Sequence, residues 1–449
     1  MASERKPNLK QTEVGMFPAD WEVKEIQNVG EVIGGGTPST KNKQYWAGKI
    51  AWITPKDLSN HKSRYITNGE RNITEEGLQQ SSAKILTKGA VLLTTRAPVG
   101  YLAIAENEVT TNQGFHSIIP KENTTTLFLY YLLKRNVEYL KSNSSGTTFG
   151  ELSGSRLKSL KFAFPSLIEQ QAIAKILSDL DSKIELNQQM NKTFEAIGQA
   201  VFKRWFADFE FPNEEGKPYK SSGGEIVDSE NEEIPRGWVI SSLDQLHHKN
   251  ENCVITGPFG SNLHASDYRE AGTPLILVKH VKNGRISGED MPLVGNHKFP
   301  EMNRYILKIG DIVFTRVAVV GESSYIRKRN ENWMISGQML RVRANRNKIS
   351  PRYLAQVFQQ KIFKDQVSNY AVGSTRPSLN TKLLLSFKFV LPPLILQDRF
   401  ALLLENADAL IENNLNQIDT LTSIRDLLLP KLMSGKIRVP INEENVEAT

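Results

Sequence analysis

Two long stretches of the chain carry apolar residues at alternating spacings of four and three. The first such face consists of Ile173, Leu177, Leu180, Ile184, Asn187, Asn191, Phe194, Gly198, Val201 and Trp205. The second consists of Phe400, Leu404, Ala407, Ile411, Asn414, Ile418, Leu421, Arg425, Leu428 and Leu432. This spacing is typical of helices that pair in a coiled coil. The small and polar members of both faces indicate a pair that departs from an ideal zipper.

Three asparagines interrupt these apolar faces near the middle of the helices. Asn187 and Asn414 occupy corresponding places 227 residues apart, and Asn191 follows Asn187 by one turn. A buried asparagine lowers stability, but it disfavours slipped alignments because a displaced helix leaves the amide unpaired. We therefore expect Asn187 to lie near Asn414 or one of its neighbours, with Asn191 as a second candidate, and these residues to fix the helix-pair register.

Each long helix could instead pack only on its own domain. A face of this length spans about 50 Å at 1.5 Å per residue, which is longer than one small domain covers. The length favours two helices that contact each other.

The two halves of the chain are similar to each other in sequence. Four segments return in the same order: FPADWEV (17–23) as IPRGWVI (234–240), KGAVLLTTRAPVG (88–100) as IGDIVFTRVAVVG (309–321), SGTTFGELS (145–153) as VGSTRPSLN (372–380), and KFAFPSLIEQ (161–170) as FKFVLPPLILQ (387–397). This order indicates an internal duplication. Two quasi-equivalent halves are most simply related by a pseudo-two-fold, with their long helices antiparallel.

Each half is predicted to contain a mixed domain followed by a long helix. Short apolar runs such as AVLLTT and DIVFTR predict strands, and Thr126–Ser142 and Pro351–Val367 have the spacing of amphipathic helices with a basic face. The predicted fold is therefore α+β, with two repeated mixed α/β domains separated by two long antiparallel helices. The expected segments are 1–164 for the first domain, 165–210 for the first long helix, 211–233 for a linker, 234–391 for the second domain, 392–435 for the second long helix and 436–449 for a tail.

Charge alternates along these segments. Residues 1–164 and 235–391 are net basic, whereas 165–234 and 392–449 are net acidic, within an overall charge of +7. Basic domains attract phosphates and acidic connectors do not, so the pattern is compatible with nucleic-acid binding by the two domains. Two ordinary soluble domains with acidic helical connectors would also give this pattern.

Composition narrows the class of protein. A length of 449 residues allows two or three domains, and the single cysteine excludes a disulfide framework. The first residues, MASERKPNLKQTE, are polar, unlike a secretory signal, and no apolar run approaches a membrane span of about 20 residues. We expect a cytoplasmic protein.

The sequence offers no convincing catalytic or metal-binding motif. GGGTPST (34–40) lacks the Lys-Ser/Thr of a phosphate-binding P-loop, and no G-x-G-x-x-G follows a predicted strand. LPPL (391–394) lacks the polar residue that an amino-methyltransferase loop places before its prolines. We therefore expect no catalytic residue, no metal and no cofactor on this chain.

The middle of the chain closely resembles the central region of the specificity (S) subunits of type I restriction-modification enzymes. This region is WFADFEFPNEEGKPYKSSGGEIV (205–227), running into EEIPRGW (232–238). Further segments that resemble the family are GGGTPST, WITPKDL (52–58), FPSLIEQQAIAKIL (164–177) and LLLPKLMSGKIRV (427–439). One departure from the family pattern is Leu396, where a glutamate is usual.

The resemblance implies a DNA-recognition subunit with no activity of its own, in a bacterial or archaeal cytoplasm. Each of two target recognition domains would read one half of a split double-stranded DNA sequence, spaced by the helices. Two methyltransferase (M) subunits would carry S-adenosylmethionine and methylate adenine at N6. Restriction (R) subunits would add ATP- and Mg-dependent translocation and cleavage.

Candidate DNA-reading residues are polar or basic and lie next to glycines in predicted loops, because tight loops let the backbone approach a duplex. In the first half they are Thr37, Ser39, Lys41, Lys56, Arg96, Asn112, Gln113 and Thr147. In the second half they are Ser261, Asn262, Lys279, His280, Arg316, Gln338, Ser374, Thr375 and Arg376. Arg96 and Arg316 have the strongest support because each follows the same repeated strand. A salt bridge that packs the domain is the rival role for both.

Two other functions are compatible with the residues alone. The chain could be a DNA-acting enzyme, such as a nuclease, with a site that has no familiar motif. It could also be a scaffold whose basic domains bind RNA or acidic proteins.

Overall fold

The computed structural model of the chain describes residues 8–440, apart from 60, 62, 146–149, 231, 247–252, 261, 287–289 and 372–377. The chain forms two compact units, Met1–Gln188 with Asn416–Thr449 and Gln189–Leu415. Each unit combines β-sheets with helices, so the prediction of a mixed α/β protein with long helices is confirmed. Within the described residues, no helix is long and apolar enough to cross a membrane.

The first unit begins with most of its strands and ends with helices. Its strands are β1 Leu9–Thr12, β2 Gly15–Pro18, β3 Glu22–Glu25, β4 Gly30–Gly34, β5 Trp46–Ile53, β6 Tyr65–Ile66, β7 Arg71–Ile73, β8 Val91–Thr95, β9 Val99–Ala105, β10 Thr110–Thr111, β11 His116–Pro120 and β12 Lys161–Phe164. Its helices are α1 Ile26–Val29, α2 Pro55–Ser59, α3 Glu75–Gln79, α4 Thr126–Arg135, α5 Val137–Ser142, α6 Gly154–Ser159, the first part of α7 Leu167–Phe202 and the last part of α13 Leu394–Met433.

The central sheet of the first unit has the strand order β4-β11-β8-β9-β6. Strand β8 is buried along its whole length, which explains its continuous apolar sequence. A second sheet has the order β10-β5-β7, in which β10 and β5 are parallel. Helix α4 packs on the central sheet and buries Phe128 and Tyr131 in the core.

The second unit contains the remaining strands and helices. Its strands are β13 Ile226–Ser229, β14 Glu232–Pro235, β15 Val239–Ser242, β16 Val254–Thr256, β17 Tyr268–Arg269, β18 Thr273–Ile276, β19 Val281–Lys282, β20 Arg285–Ile286, β21 Leu293–Val294, β22 Ile312–Thr315, β23 Ser323–Tyr325, β24 Met334–Ile335, β25 Met339–Val342 and β26 Lys388–Leu391. Its helices are the last part of α7, α8 Leu243–Leu246, α9 Phe299–Met302, α10 Pro351–Val357, α11 Lys361–Ala371, α12 Thr381–Ser386 and the first part of α13 Leu394–Met433.

The sheet of the second unit repeats the topology of the first. Its order, β16-β25-β22-β23, matches β4-β11-β8-β9 strand for strand, and all three pairs are antiparallel in both sheets. The parallel pair β5–β10 has a counterpart in β18–β24, and the antiparallel pair β3–β12 has one in β15–β26. The duplication in sequence is therefore a duplication in fold.

The amphipathic helices are shorter than the sequence pattern predicts. The stretch Thr126–Ser142 is two helices that meet at Asn136, whose side-chain amide donates a 2.7 Å hydrogen bond to the carbonyl of Leu132. This local side-chain bond competes with continuation of the helix. The second stretch likewise consists of α10 and α11. Apolar spacing alone does not reveal such breaks.

In each unit, parts of α7 and α13 pack against each other in antiparallel fashion. In the first unit Asp181 contacts Arg425 at 2.7 Å and Asn187 contacts Gln417 at 3.1 Å. In the second unit Gly198 lies against Leu404, and a Cβ added at Gly198 would lie 3.4 Å from the side chain of Leu404. Two residues that looked like flaws in the faces thus have packing roles, because Arg425 pairs with a buried carboxylate and Gly198 makes room for a leucine.

The asparagines lie at these helix contacts. In the first unit Asn187 is fully buried, and its amide donates to the side-chain oxygen of Gln417. In the second unit the buried Asn414 donates a 2.9 Å hydrogen bond to Asn191. The contact of Asn191 with Asn414 is one of the pairings expected from the staggered layers of an antiparallel pair.

Different side chains pack against the start of the long helix in each of the two units. In the first unit Arg438 lies 2.8 Å from Glu169 and 2.7 Å from Asp20, and Trp21 also donates to Glu169. In the second unit the position of Glu169 is taken by Leu396, which is buried in an aromatic core with Trp238, Phe206 and Phe400. The departure at Leu396 is therefore explained by an apolar environment where the first unit has an ion pair.

Candidate nucleic-acid interface

Most of the candidate residues lie in loops at one end of the strands of each central sheet. In the first unit Gly34 at the end of β4 pairs with His116 at the start of β11. Thr95, at the end of β8, donates its backbone N–H to Gly114, just before β11. Antiparallel pairing therefore places the loops after β4 and β8 beside the loop before β11. We call this end of the sheet, with its loops, the loop edge of the unit.

The glycine-rich loop after β4 is held tightly against its neighbours. The N–H of Gly36 donates to the carbonyl of Thr111 at 2.8 Å, and the indole of Trp52 donates to the carbonyl of Gly36 at 2.9 Å. A Cβ added at Gly36 would lie 2.2 Å from the backbone of Ala83, so only glycine fits. The next residue, Thr37, donates its hydroxyl hydrogen to the side-chain oxygen of Gln113. Thr37 and Gln113 thus form one polar pair at the loop edge.

Asn112 shapes the neighbouring loop. Its N–H donates to the carbonyl of Ile53, and its side-chain oxygen accepts a 2.9 Å hydrogen bond from the N–H of Gly114. The side chain is half-buried, whereas that of Gln113 is exposed. Asn112 therefore positions Gln113, which presents an amide to solvent.

Lys56 lies on the short helix that follows β5. Its exposed ammonium lies 2.7 Å from the exposed carboxylate of Glu70, and this hydrogen bond raises the pKa of Lys56. The helix is capped by Asp57, whose carboxylate accepts from the N–H of Thr54 at 2.7 Å. An exposed ion pair contributes little to stability, so Lys56 can exchange Glu70 for a phosphate at small cost.

The other candidates of the first unit are surface residues. Ser39 and Lys41 are exposed beyond the glycine-rich loop. Arg96, directly after β8, is exposed and lies 4.0 Å from an exposed carboxylate of Glu151. This contact is too long and too exposed to hold the arginine, so its guanidinium is available at the loop edge.

The second unit builds the same loop edge with the same backbone bonds. Gly257 donates to Met339 as Gly35 donates to Phe115, and Ser336 donates to Ile276 as Asn112 donates to Ile53. The N–H of Leu277 is capped by His280 as that of Thr54 is capped by Asp57. These bonds make Lys279 the counterpart of Lys56, and both ammonium groups are exposed.

His280 does not belong to the exposed part of this edge. Its ring is buried, and Nδ1 accepts a 3.0 Å hydrogen bond from the N–H of Leu277. Burial first, and the charge of Lys279 second, lower the pKa of His280. The ring caps a turn, which is a structural role that the sequence interpretation did not foresee.

Arg96 and Arg316 both follow the repeated strand, but they do not occupy equivalent positions. The carbonyl of Arg316 accepts from Leu379 as the carbonyl of Thr95 accepts from Leu152, and the N–H of Arg316 donates to Gln338 as that of Thr95 donates to Gly114. Arg316 therefore takes the place of Thr95, one residue before Arg96. Neighbouring residues on extended chain point to opposite sides, so the two guanidinium groups approach the edge differently.

The remaining candidates divide into exposed residues and residues outside the described part. Asn262 and Gln338 are exposed. Thr147, Ser261, Ser374, Thr375 and Arg376 lie outside the described residues. A residue that the sequence interpretation missed is Phe259, which follows Gly257 and Pro258 at this edge and is 56% exposed. Its signal in the sequence was an aromatic residue inside a glycine-rich loop, GPFGS.

Clusters of three or more His, Cys, Asp or Glu side chains that could hold a metal ion do not occur in the described part of the chain. Cys253 is a buried free thiol, and burial raises its pKa to about 11.

Comparisons with known proteins agree on one family. A family model described as "Type I restriction modification DNA specificity domain" matches residues 18–196 and 273–422. The specificity subunit of type I restriction enzyme MjaIX from Methanocaldococcus jannaschii is 37% identical over 443 residues, which cover 96% of each chain. The MjaVIII specificity subunit of the same organism is 25% identical over 97% of each chain. The crystal structure of a type I S subunit from M. genitalium shares the fold, with a TM-score of 0.55 at 17% identity over 95% of this chain and 98% of that one.

Proposed function

Because the chain belongs to the family of type I restriction-modification DNA specificity subunits, we propose that it recognises a DNA target in two halves, one for each compact unit. The observation that carries this proposal is the repeated loop edge. The same backbone hydrogen bonds present loops of the same kind in both units, while the exposed side chains differ. Two loop edges with the same backbone arrangement but different side chains suit two different half-sites.

The chemistry of the loop edges fits duplex DNA. Lys56 and Lys279 supply exposed charges for phosphates at equivalent positions, and Gln113 and Gln338 offer exposed amides. Lysine holds phosphates without reading sequence, whereas a glutamine amide can read the edge of adenine in the major groove. Arg96 and Arg316 add guanidinium groups, which pair with phosphate or with guanine. We assign the recognition of base edges to the exposed members of the candidate set.

The long helices are the proposed docking elements for M subunits. Exposed isoleucines recur at equivalent positions of the two helices, as Ile168 with Ile395 and Ile197 with Ile424. Each compact unit therefore presents two exposed isoleucines, one near the start of one long helix and one further along the other. This supports two equivalent sites for two M subunits. In this proposal S-adenosylmethionine belongs to the M subunits, and ATP and Mg belong to the R subunits of the full complex.

The test is co-expression with the cognate M subunit in a host that lacks adenine methylation. We expect the M–S complex to place N6-methyladenine at a bipartite sequence, and the purified chain alone to methylate and cleave nothing. Sequencing of methylated sites reads out both half-sites and their spacing. Metal-dependent cleavage by the chain alone would support a nuclease, and preference for RNA over duplex DNA by the complex would support an RNA-binding scaffold.

Exchange of residues 1–160 with those of another S subunit tests whether each unit reads one half-site independently of the other. One half-site of the methylated sequence should change while the other stays the same. A change in both half-sites contradicts separate reading by the two units.

The buried asparagines provide a test of the spacing. Replacing Asn191 and Asn414 together by leucine removes both partners of a buried hydrogen bond, which is nearly neutral or stabilising. We expect the variant to methylate targets whose spacer differs by about three base pairs, because a slip of one heptad moves a helix by about 10 Å.

The exposed Gln189, on the same helix, gives the matched control. Its replacement by leucine should leave the spacer preference unchanged. A double variant of Asn191 and Asn414 that keeps a single spacer length would show that register is fixed elsewhere.

A further inference from the structure

We propose that Phe259 reads the methyl group of a thymine in the half-site recognised by the second unit. The inference rests on the proposed function and adds a named contact with a named base. Phe259 is the only exposed phenylalanine side chain among those the structure describes. Its exposed fraction is 56%, whereas the other described phenylalanines are buried or half-buried.

The position of Phe259 follows from the backbone frame shared by the two units. Gly257 corresponds to Gly35 through their equivalent hydrogen bonds to Met339 and Phe115. Counting forward two residues makes Phe259 the counterpart of Thr37. The phenylalanine thus stands in the second unit where the first unit holds Thr37, the half-buried member of its polar pair.

The partner position changes in a complementary way. Gln113, which accepts the hydrogen bond of Thr37, corresponds to Gly337 in the second unit. A Cβ added at Gly337 would lie 2.4 Å from the carbonyl of Pro258 and 3.4 Å from Cα of Phe259, so the second unit has no room for a side chain there. The ring of Phe259 is therefore left uncovered on the side where the first unit has its glutamine.

Arg316 places positive charge beside this ring. Its guanidinium carbon lies 5.8 Å from the centre of the Phe259 ring. Arg316 occupies the place of the buried Thr95, so this charge is a feature of the second unit that the first lacks at that position. An apolar ring next to a guanidinium suits an edge of DNA where a phosphate or guanine lies close to an apolar group.

The apolar group that double-stranded DNA presents in its major groove is the C5 methyl of thymine, which phenylalanine is known to contact. A polar pair of threonine and glutamine has the opposite chemistry, because a glutamine amide recognises adenine through N6 and N7. The same place in the fold therefore reads a methyl group in one half-site and a hydrogen-bonding edge in the other.

The experiment uses the M–S complex and the bipartite target mapped for it. Each thymine of the second half-site is replaced in turn by deoxyuridine, which removes only the C5 methyl. We expect one position at which the wild-type complex binds the deoxyuridine duplex about fourfold more weakly, which corresponds to the ~0.8 kcal/mol of one buried CH₂ group. With Phe259→Ala this difference should vanish, since the methyl has lost its partner.

Two variants serve as controls. Val239→Ala removes a similarly exposed apolar side chain from strand β15 and should keep the discrimination. Phe259→Thr installs the residue of the first unit and should also lose the preference for thymine over deoxyuridine. In all variants the first half-site should be read as in the wild type.

Three results overturn the assignment. They are a second half-site without thymine, a wild-type complex that does not distinguish thymine from deoxyuridine at any position, and discrimination that survives in Phe259→Ala. Failure of the proposed function has a different signature, because the wild-type complex then methylates no defined sequence at all.

Discussion

Replacing Asp408 by asparagine is expected to lower the free energy of unfolding of the second unit by about 3–5 kcal/mol. The Asp408 carboxylate lies 3.2 Å from the guanidinium of Arg327 and 2.9 Å from that of Arg352. Both arginine side chains are largely buried, and burial lowers the pKa of Arg352. Without the carboxylate, two buried cations of like charge would face each other, and this uncompensated charge is the source of the large expected loss.

The first unit supplies a matched comparison, since Asp181 precedes Asp408 by 227 residues. Asp181 is buried, pairs with Arg425 at 2.7 Å and accepts a 2.8 Å hydrogen bond from Tyr131. Asp181→Asn should therefore destabilise the first unit and spare the second. Hydrogen exchange followed by peptide mapping distinguishes the two units, because protection is lost where stability is lost.

Asp179→Asn is the neutral control for both aspartate variants. Asp179 is exposed and pairs only with Lys175 one turn away in the described structure, so its replacement should change stability by less than about 0.5 kcal/mol. An Asp408 variant as stable as this control would show that the arginines find other partners or reach water.

Charging the exposed face of the second long helix is expected to abolish binding of the M subunit that docks on the second unit. Leu402 and Leu403 are 65% and 54% exposed, and Ile395 and Leu410 continue the same side of the helix at spacings of seven and eight residues. Exposed leucines in such number are typical of a protein–protein interface. Hot-spot residues contribute about 2 kcal/mol or more each, so Leu402→Asp with Leu403→Asp should weaken binding by roughly 1,000-fold.

The ratio of M subunit to tagged chain after co-purification measures this effect, and methylation of the target should fall in parallel. Ile362→Asp is the control, because Ile362 is 69% exposed but lies on α11 rather than on a long helix. Normal assembly by the double leucine variant would place the M subunits on another surface.

Long-range regularities of the sequence predicted the architecture well. The repeated segments and the helical spacing extend over tens of residues, so single substitutions do not obscure them, and the mixed α/β fold with long helices is confirmed. The resemblance to S subunits is confirmed by the family match over both halves of the chain. Asn187, Asn191 and Asn414 were identifiable because a polar residue on an apolar face demands a partner.

Individual side chains at the loop edge were harder to predict, because their exposure depends on backbone bonds between distant loops. His280 looked like a surface residue, but its ring caps the turn at Leu277 and is buried. Arg96 and Arg316 follow the same repeated strand, but the backbone bonds of Arg316 to Leu379 and Gln338 put it in the place of Thr95, one residue before Arg96. Phe259 lacked the polar chemistry by which candidates were chosen. It stands out only when the backbone bonds of the two units are matched, which makes Phe259 the counterpart of Thr37 and Gly337 the counterpart of Gln113.

The division of the chain into units has a consequence for its synthesis on the ribosome. The second unit is one continuous segment, Gln189–Leu415, whereas the first combines Met1–Gln188 with Asn416–Thr449. The buried Asp181 therefore meets Arg425, and Glu169 and Asp20 meet Arg438, only after the whole second unit has been translated. A chain that stops directly after residue 415 would therefore contain the whole second unit and an incomplete first unit, although the first unit is the one whose synthesis begins earlier.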